Sequence, residues 1–306
     1  MPPDSSPSTL HGVRSVVDDL ALESVGGIDG RFTVVIDEGW RVLHTFGGMS
    51  KAWAIEAAHM ALGRDDLQVI SAQSTYVQAI PPGRVAIQAD VVRSGRRGAQ
   101  VSVRLWSTEQ PRELAAPYLT ADVVFGGPDA GATDLTRVRF PDDARTPESS
   151  APREEFLRST IDIPFHRQTD WRLAQGAFDP DEADVDLRSI SWFRFQRSPI
   201  GPTGAWHPPA LAVPGDILGP AVSRGLGGRL FFVITLQLSL QWLAPVRSEW
   251  VCQHATAIAA RGGFVTGTAD LWSEDHELVG FATQVAMLRP FERVAADGLL
   301  GAETQG

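Results

Sequence analysis

The chain has 306 residues, 43 % of them apolar and 21 % charged, with a formal net charge of −10. That length accommodates two domains with a core each, and the acidic balance excludes a broad nucleic-acid surface, which needs a basic footprint. Cys252 is the single cysteine, which excludes internal disulfides and thiolate metal cages; with no apolar run of membrane-spanning length either, the expectation is a cytoplasmic protein without a membrane span.

In chain order, the polar, proline-rich start is expected to be disordered over its first eight or so residues. Phe32–Ile36 alternates as a strand does. Gly47-Gly48 then precedes Met49–Leu62, whose Met, Trp, Ile, Leu and alanines leave no full polar face for Lys51 (the sole lysine), Glu56 and His59 to form. A helix apolar on most sides is a buried helix, and Gly63 is placed to end it. Strands follow at about Val69–Val77, Val85–Val92, Gln100–Trp106 and, after a turn at 109–112, Ala115–Phe125. Short turns join them, so the sheet should be antiparallel.

From Gly126 to about Glu155 the composition turns to Pro, Asp, Ser and Arg, that of a linker. The order of elements then recurs: a strand at Leu187–Phe195, a helix at Pro208–Val222 bent or broken by Pro214-Gly215, and strands at Phe232–Leu243, Trp250–Ala260, Phe264–Trp272 and Glu277–Leu288. After Arg293 the chain should fray. The tryptophans of two Leu-Trp-Ser triplets, Trp106 and Trp272, lie 166 residues apart, and Pro81 and Pro245 lie 164 apart. Triplet, proline and an intervening Arg/Gly turn keep the same order in both halves, which points to duplication of one domain. The expected organisation is a first domain over 9–126, a linker over 127–155 and a second domain over 156–293. Each is a buried helix wrapped by an antiparallel sheet, an α+β layout, and the two sheets can pair edge to edge.

The residues that carry a family likeness are FGGMSKAWAIEAAHMAL (46–62) and the run from Val69 to Trp106 in the first half. In the second half they are HPPALAVPGDILGPAV (207–222), ITLQLSLQWLAPVRSEW (234–250) and ELVGFATQVAMLRP (277–290). With these the sequence resembles the bacterial acyl-CoA thioesterase II family, whose members are tandem double hotdogs. The resemblance implies hydrolysis of an acyl-CoA substrate without a cofactor or metal, and a water held in the second half by an Asp, a Thr and a Gln, matched here by Asp216, Thr235 and Gln284. Three positions depart from the family pattern: Gln237 stands where many relatives have Asp, Ile70 where some have His, and Val285 where Glu is usual. Hotdog sheets often associate further, so a homo-oligomer is an allowed state.

The residue types suit that chemistry. A carboxylate acts as general base toward water; Asp216 is the only acid in Pro208–Val222, where burial would raise its pKa toward neutrality. Thr235 and Gln284 each offer a donor and an acceptor. The helix start at Gly47, Gly48 and Met49 offers free amides and the positive end of the helix dipole to an oxyanion. Arg96 and Arg97, at a turn, offer weaker candidates for the CoA phosphates, and Trp192, Trp206, Trp242, Trp250 and Trp272 for an acyl tunnel. Each residue has a plainer reading beside this one: a helix cap for Asp216, a β-branched strand residue for Thr235, a cross-strand bond for Gln284, a solvated turn for the arginines and core packing for the tryptophans. The functional alternative is a hotdog that binds an acyl ligand without turning it over. A hydratase would need an Asp-x-x-x-x-His segment, which the sequence lacks.

Overall fold

The computed structural model describes residues 12–108, 116–127, 131–156, 163–176, 187–226 and 231–290. The expected disorder of the first residues, the turn at 109–112 and the frayed end after Arg293 lie outside the described residues. The first half runs α1 (Val16–Asp19), β1 (Glu23–Ser24), β2 (Arg31–Ile36), α2 (Gly47–Leu62), β3 (Gln68–Tyr76), β4 (Gly83–Ser94), β5 (Gly98–Ser107) and β6 (Leu119–Gly126). Then come β7 (Ala151–Pro152), α3 (Arg153–Phe156), α4 (Phe165–Gln168), β8 (Thr169–Gln175) and β9 (Arg188–Phe195). A 3-10 turn (Pro208–Leu211) leads into α5 (Ala212–Gly215) and α6 (Leu218–Gly225), followed by β10 (Phe231–Trp242), β11 (Val251–Arg261), β12 (Phe264–Ser273) and β13 (Leu278–Pro290).

Among the described residues the strands form one 13-stranded sheet, in the order β1-β2-β4-β5-β6-β3-β10-β13-β12-β11-β9-β8-β7, with every pairing antiparallel. The halves meet where β3 pairs with β10, so each covers the edge the other would expose. At that seam Gln73 lies opposite Ser239, and the 166-residue spacing of the tryptophans also links these two positions. A pseudo-twofold axis therefore passes between them. The duplication extends to irregularities: β3 has a bulge between Val69 and Ser71 and β10 between Thr235 and Gln237, while β4 has one between Val91 and Arg93 and β11 between Ala257 and Ala259. Both bulge pairs keep the same spacing.

Helix α2 forms as its composition demands. It is buried from Gly48 to Ile55, and Gly63 ends it in the left-handed region at φ 59°, its N–H bonding the His59 carbonyl at 3.0 Å. Strands such as β5 alternate buried and more exposed residues, so one sheet face lies on the helices. Buried side chains such as Trp53, Ile55 and Ile87 supply the core, each contributing about 1.5–3 kcal/mol.

The second half departs from the first in its helix. Pro214 cannot continue an α-helix ladder, and the chain breaks at Asp216–Ile217 between α5 and α6. The segment joining the halves adds structure its composition concealed. Within the linker-like stretch, Phe140 stacks on His276 (ring centroids 3.8 Å apart) and packs on Trp192 and Trp272; β7 and β8 then extend the sheet past β9. Phe165 of α4 stacks on Phe46, with centroids 4.2 Å apart.

Candidate active site

The break in the second helix places the site. In an unbroken helix the Leu218 amide would bond the Pro214 carbonyl. Here two glutamines from the sheet take the separated groups: Gln284 Oε1 of β13 accepts from Leu218 N–H at 3.2 Å, and Gln253 Nε2 of β11 donates to the Pro214 carbonyl at 2.8 Å. Buried backbone groups must be paired, and both glutamines are themselves buried. With the break capped in this way, Asp216 projects from the gap toward the seam.

Asp216, Thr235 and Gln284 come together in a closed triangle. Thr235 Oγ1 donates to Asp216 Oδ1 at 2.8 Å. Gln284 Nε2 donates to Asp216 Oδ1 at 2.6 Å and to Thr235 Oγ1 at 2.7 Å. The register sets this arrangement, since Gln284 lies opposite Leu238 and Thr235 precedes the bulge that shifts β10 by one residue. A third donor arrives from the other half, as the Gly48 amide hydrogen-bonds the Asp216 carboxylate. Burial pushes this carboxyl up to about 6; Thr235, the Gly48 amide, the Lys51 ammonium and Gln284 all pull the other way.

The glycine pair makes this approach feasible. A Cβ on Gly47 would sit 2.5 Å from Asp216 Oδ2, and one on Gly48 would sit 2.6 Å from the Ala212 carbonyl. Only glycine lets the start of α2 approach the broken helix so closely. Of the three expected oxyanion residues, Gly47 lies on a cavity wall, the Gly48 amide is engaged by Asp216, and Met49 is fully buried. Tyr76 donates its hydroxyl to the Gly47 carbonyl at 2.8 Å.

The triangle and Gly47 face a cavity of about 530 Å³. Its walls are mainly apolar, with Phe46 and Ile80 from the first half, Phe165 from the joining segment, and Phe193, Phe232 and Leu236 from the second. Volume and lining suit a small-molecule site with few polar groups. His166 is also on the wall, and burial first, then Arg153, pushes it down to about 4, so it is neutral at neutral pH.

Several expected participants are elsewhere. Arg96 and Arg97 stand on the β4–β5 turn and do not line the cavity. None of the five tryptophans considered for a tunnel lines it either: Trp192, Trp250 and Trp272 form a separate cluster, Trp206 is in the main core, and Trp242 Nε1 bonds the Pro208 carbonyl. The tryptophan on the wall is Trp171 of β8, its indole N–H held by Gln253 at 3.0 Å. The three family departures are outside the cavity as well, with Ile70 and Val285 exposed and Gln237 at the outer surface, 3.5 Å from Thr75 Oγ1. Sequence reasoning missed Gln253, Phe165 and Trp171. A signal existed for the first: a lone Gln in an apolar strand beside a proline-broken helix.

Two helix-and-meander halves sharing one sheet define a tandem hotdog protein. The chain belongs to the acyl-CoA thioesterase family, a family of thioester hydrolases: the model of the family's N-terminal domain matches residues 36–128 and that of its C-terminal domain residues 141–288. Among solved structures, a conserved hotdog-fold protein of unknown function from Alicyclobacillus acidocaldarius is 20 % identical, with a TM-score of 0.74 over 90 % of this chain and 97 % of that one. An acyl-CoA thioesterase II from Mycobacterium marinum is 18 % identical, with a TM-score of 0.69 over 90 % of this chain and 98 % of that one. At these identities the likeness shows the fold. Comparison with curated proteins gives no match by sequence. Among the described residues no helix is long and apolar enough to cross a membrane.

Proposed function

We propose that this protein hydrolyses an acyl-CoA thioester to the free acid and CoA, using a water activated by Asp216 and oriented by Thr235 and Gln284. The observation that carries this reading is the closed Asp216–Thr235–Gln284 triangle on the wall of an apolar cavity. Oδ1 is held by two donors, and Oδ2 is directed at Gly47 on the same wall. A water bonded to the carboxylate gives its proton to Asp216 while its oxygen attacks the thioester carbonyl carbon. The negative charge forming on the carbonyl oxygen is met by the positive end of α2 at Gly47. The C–S bond then breaks, the electron pair leaves on sulfur, and the proton on Asp216 passes to the CoA thiolate. The products are the acid and CoA, with Asp216 regenerated as a carboxylate.

A base near 6 is ionised at neutral pH yet still basic enough to take a proton. The apolar wall takes the acyl group, and both halves contribute to it. Gln237, Ile70 and Val285 stand clear of the cavity, so the departures from the family pattern do not weigh against turnover. The same reading places the enzyme in the cytoplasm, where CoA thioesters are made and used; its single cysteine is a free, buried thiol.

The test is thiol release from a panel of acyl-CoAs by the purified full chain, followed with a thiol-reactive dye. Release that Asp216→Asn abolishes supports the reading. Tight acyl-CoA binding without release above background would instead make the protein a binding module. Because Asp216 must be ionised, kcat/KM should fall about tenfold per pH unit below about 6.

A further inference from the structure

Lys51 is fully buried in α2, one turn from the glycines that meet Asp216. Its three ammonium donors are used on the Ala72 carbonyl at 2.7 Å, the Leu238 carbonyl at 2.8 Å and Ser74 Oγ at 3.2 Å. Ala72 and Ser74 are on β3 and Leu238 is on β10, so one side chain ties a helix to both strands of the seam. Leu238 is also the residue opposite Gln284. Among the described residues no carboxylate is hydrogen-bonded to this buried cation. Such a charge is costly to bury, and Met would fill a similar volume without it.

We propose that Lys51 is a positioning residue for the hydrolysis: it fixes the start of α2 and the Thr235-bearing strand against each other, and places a positive charge on the side of the site where Asp216 is held. This rests on the function proposed above. The titratable groups gathered here are few. Asp216 comes from the helix break and Tyr76 from β3, while β10 and β13 supply Thr235 and Gln284, which do not titrate; Glu56, on the same helix as Lys51, is engaged by His207 at 2.8 Å. Burial pushes Lys51 down to about 7, and Asp216 acts against that fall. Tyr76 is raised well above its ordinary value by burial and by Asp216, so it stays neutral. Among these groups Lys51 is the one cation acting on the base, and it adds to the Thr235, Gly48 and Gln284 hydrogen bonds that favour the carboxylate against burial.

Because Lys51 is the sole lysine, 15N-lysine labelling of the full chain gives one side-chain ammonium signal, whose titration is read without any turnover. Asp216→Asn should lower the lysine pKa by on the order of one unit; the same titration in both proteins would overturn the proposal. In a second arm, Lys51→Met should move the acid limb of kcat/KM upward by on the order of one pH unit while KM stays near its original value. A lysine that only braces the fold would lower the rate at every pH and leave the limb in place, which also overturns it. If Lys51→Met does not fold, the labelled Asp216→Asn comparison decides alone. Absence of thioesterase activity would defeat the function proposed above without touching that comparison.

Discussion

The two halves share a sheet register and differ where it matters for chemistry. A spacing of 166 residues places Gln253 on Ile87, Thr235 on Val69 and Gly267 on Val101. The last strands correspond through their registers: Gln284 lies opposite Leu238 and Gly267, and Val123 opposite Ala72 and Val101. All four first-half residues are buried aliphatics. Around the helices, crossed contacts relate Glu56 at His207 to Asp216 at Gly47. The first half thus keeps its helix whole over a greasy sheet. The second breaks its helix at Asp216–Ile217, and three of the replacements answer needs the break creates: Gln253 and Gln284 cap the severed backbone, and Gly267 leaves room for Leu218, whose side chain a Cβ there would overlap. One mutation in a duplicated helix therefore entails several in the sheet, and the polar cluster that results is the candidate site.

The largest test of this comparison is Asp216→Asn, which should cut turnover about a hundredfold or more, as expected for loss of a general base, with the far-UV CD spectrum and Tm close to those of the original chain. An unchanged rate would leave the polar half with only a structural meaning. Next comes Gln284→Val, which imports the first-half residue. It removes two hydrogen bonds from the triangle and orphans the Leu218 amide. The expected cost is about 1–3 kcal/mol of stability, read by urea unfolding, together with on the order of a tenfold loss in kcat. Gln253→Ile orphans the Pro214 carbonyl and should cost a similar amount of stability, with a smaller loss of turnover because Gln253 does not touch Asp216.

Most of this architecture is legible in the sequence, and the exceptions have physical reasons. The repeated Leu-Trp-Ser triplets sit on β5 and β12, which alternate along most of their length because one face lies on the core; only at the end of β12 are Trp272 and Ser273 buried as well as Leu271. Asp216, Thr235 and Gln284 could be picked out together only because the family resemblance matches all three; alone, each also suits a structural role. By contrast, β8 (TDWRLAQ) escaped notice: its register shifts between Leu173 and Gln175, and Leu173 and Ala174 are consecutive and both buried, so it does not alternate. The segment around Phe140 has linker composition because a few aromatic anchors are enough to hold it to the sheet. The helix that carries Lys51 is legible as buried, but the partners of its ammonium are not: they are two carbonyls from strands in different halves, one of them 187 residues from the lysine, and no local pattern encodes that.

Lys51 is also a place where the asymmetry runs the other way, since the corresponding stretch of the second half, Leu211–Ala212, is apolar and buried. Its folded pKa, about 7, lies below the ordinary 10.5. Between those values the unfolded chain binds a proton the folded one lacks, so this group makes stability rise with pH across that window, with a limiting slope of about 1.4 kcal/mol per pH unit. Urea unfolding between pH 7 and 10 should show the rise in the original chain and its loss in Lys51→Met. An identical slope in both would mean that the lysine titrates as an exposed one does.

The smallest effect is expected from the first-half acid. Glu56 holds the position that Asp216 holds in the other half, yet its hydrogen bond goes to His207 Nε2 at 2.8 Å, the flanking Thr and Gln positions are Val69 and Val123, and it does not line the cavity. A carboxylate without donors to orient a water, and without an apolar channel beside it, lacks the positioning on which such catalysis depends. Glu56→Gln should therefore leave kcat/KM within about twofold across the acyl-CoA panel, a change no larger than that expected of a group outside the transition state. Combined with Asp216→Asn, it should leave the residual rate of the single variant unchanged. If Glu56→Gln alone removes activity toward some acyl-CoAs, or lowers the residue left by Asp216→Asn, the first half carries a second centre, and the division of labour between the halves fails.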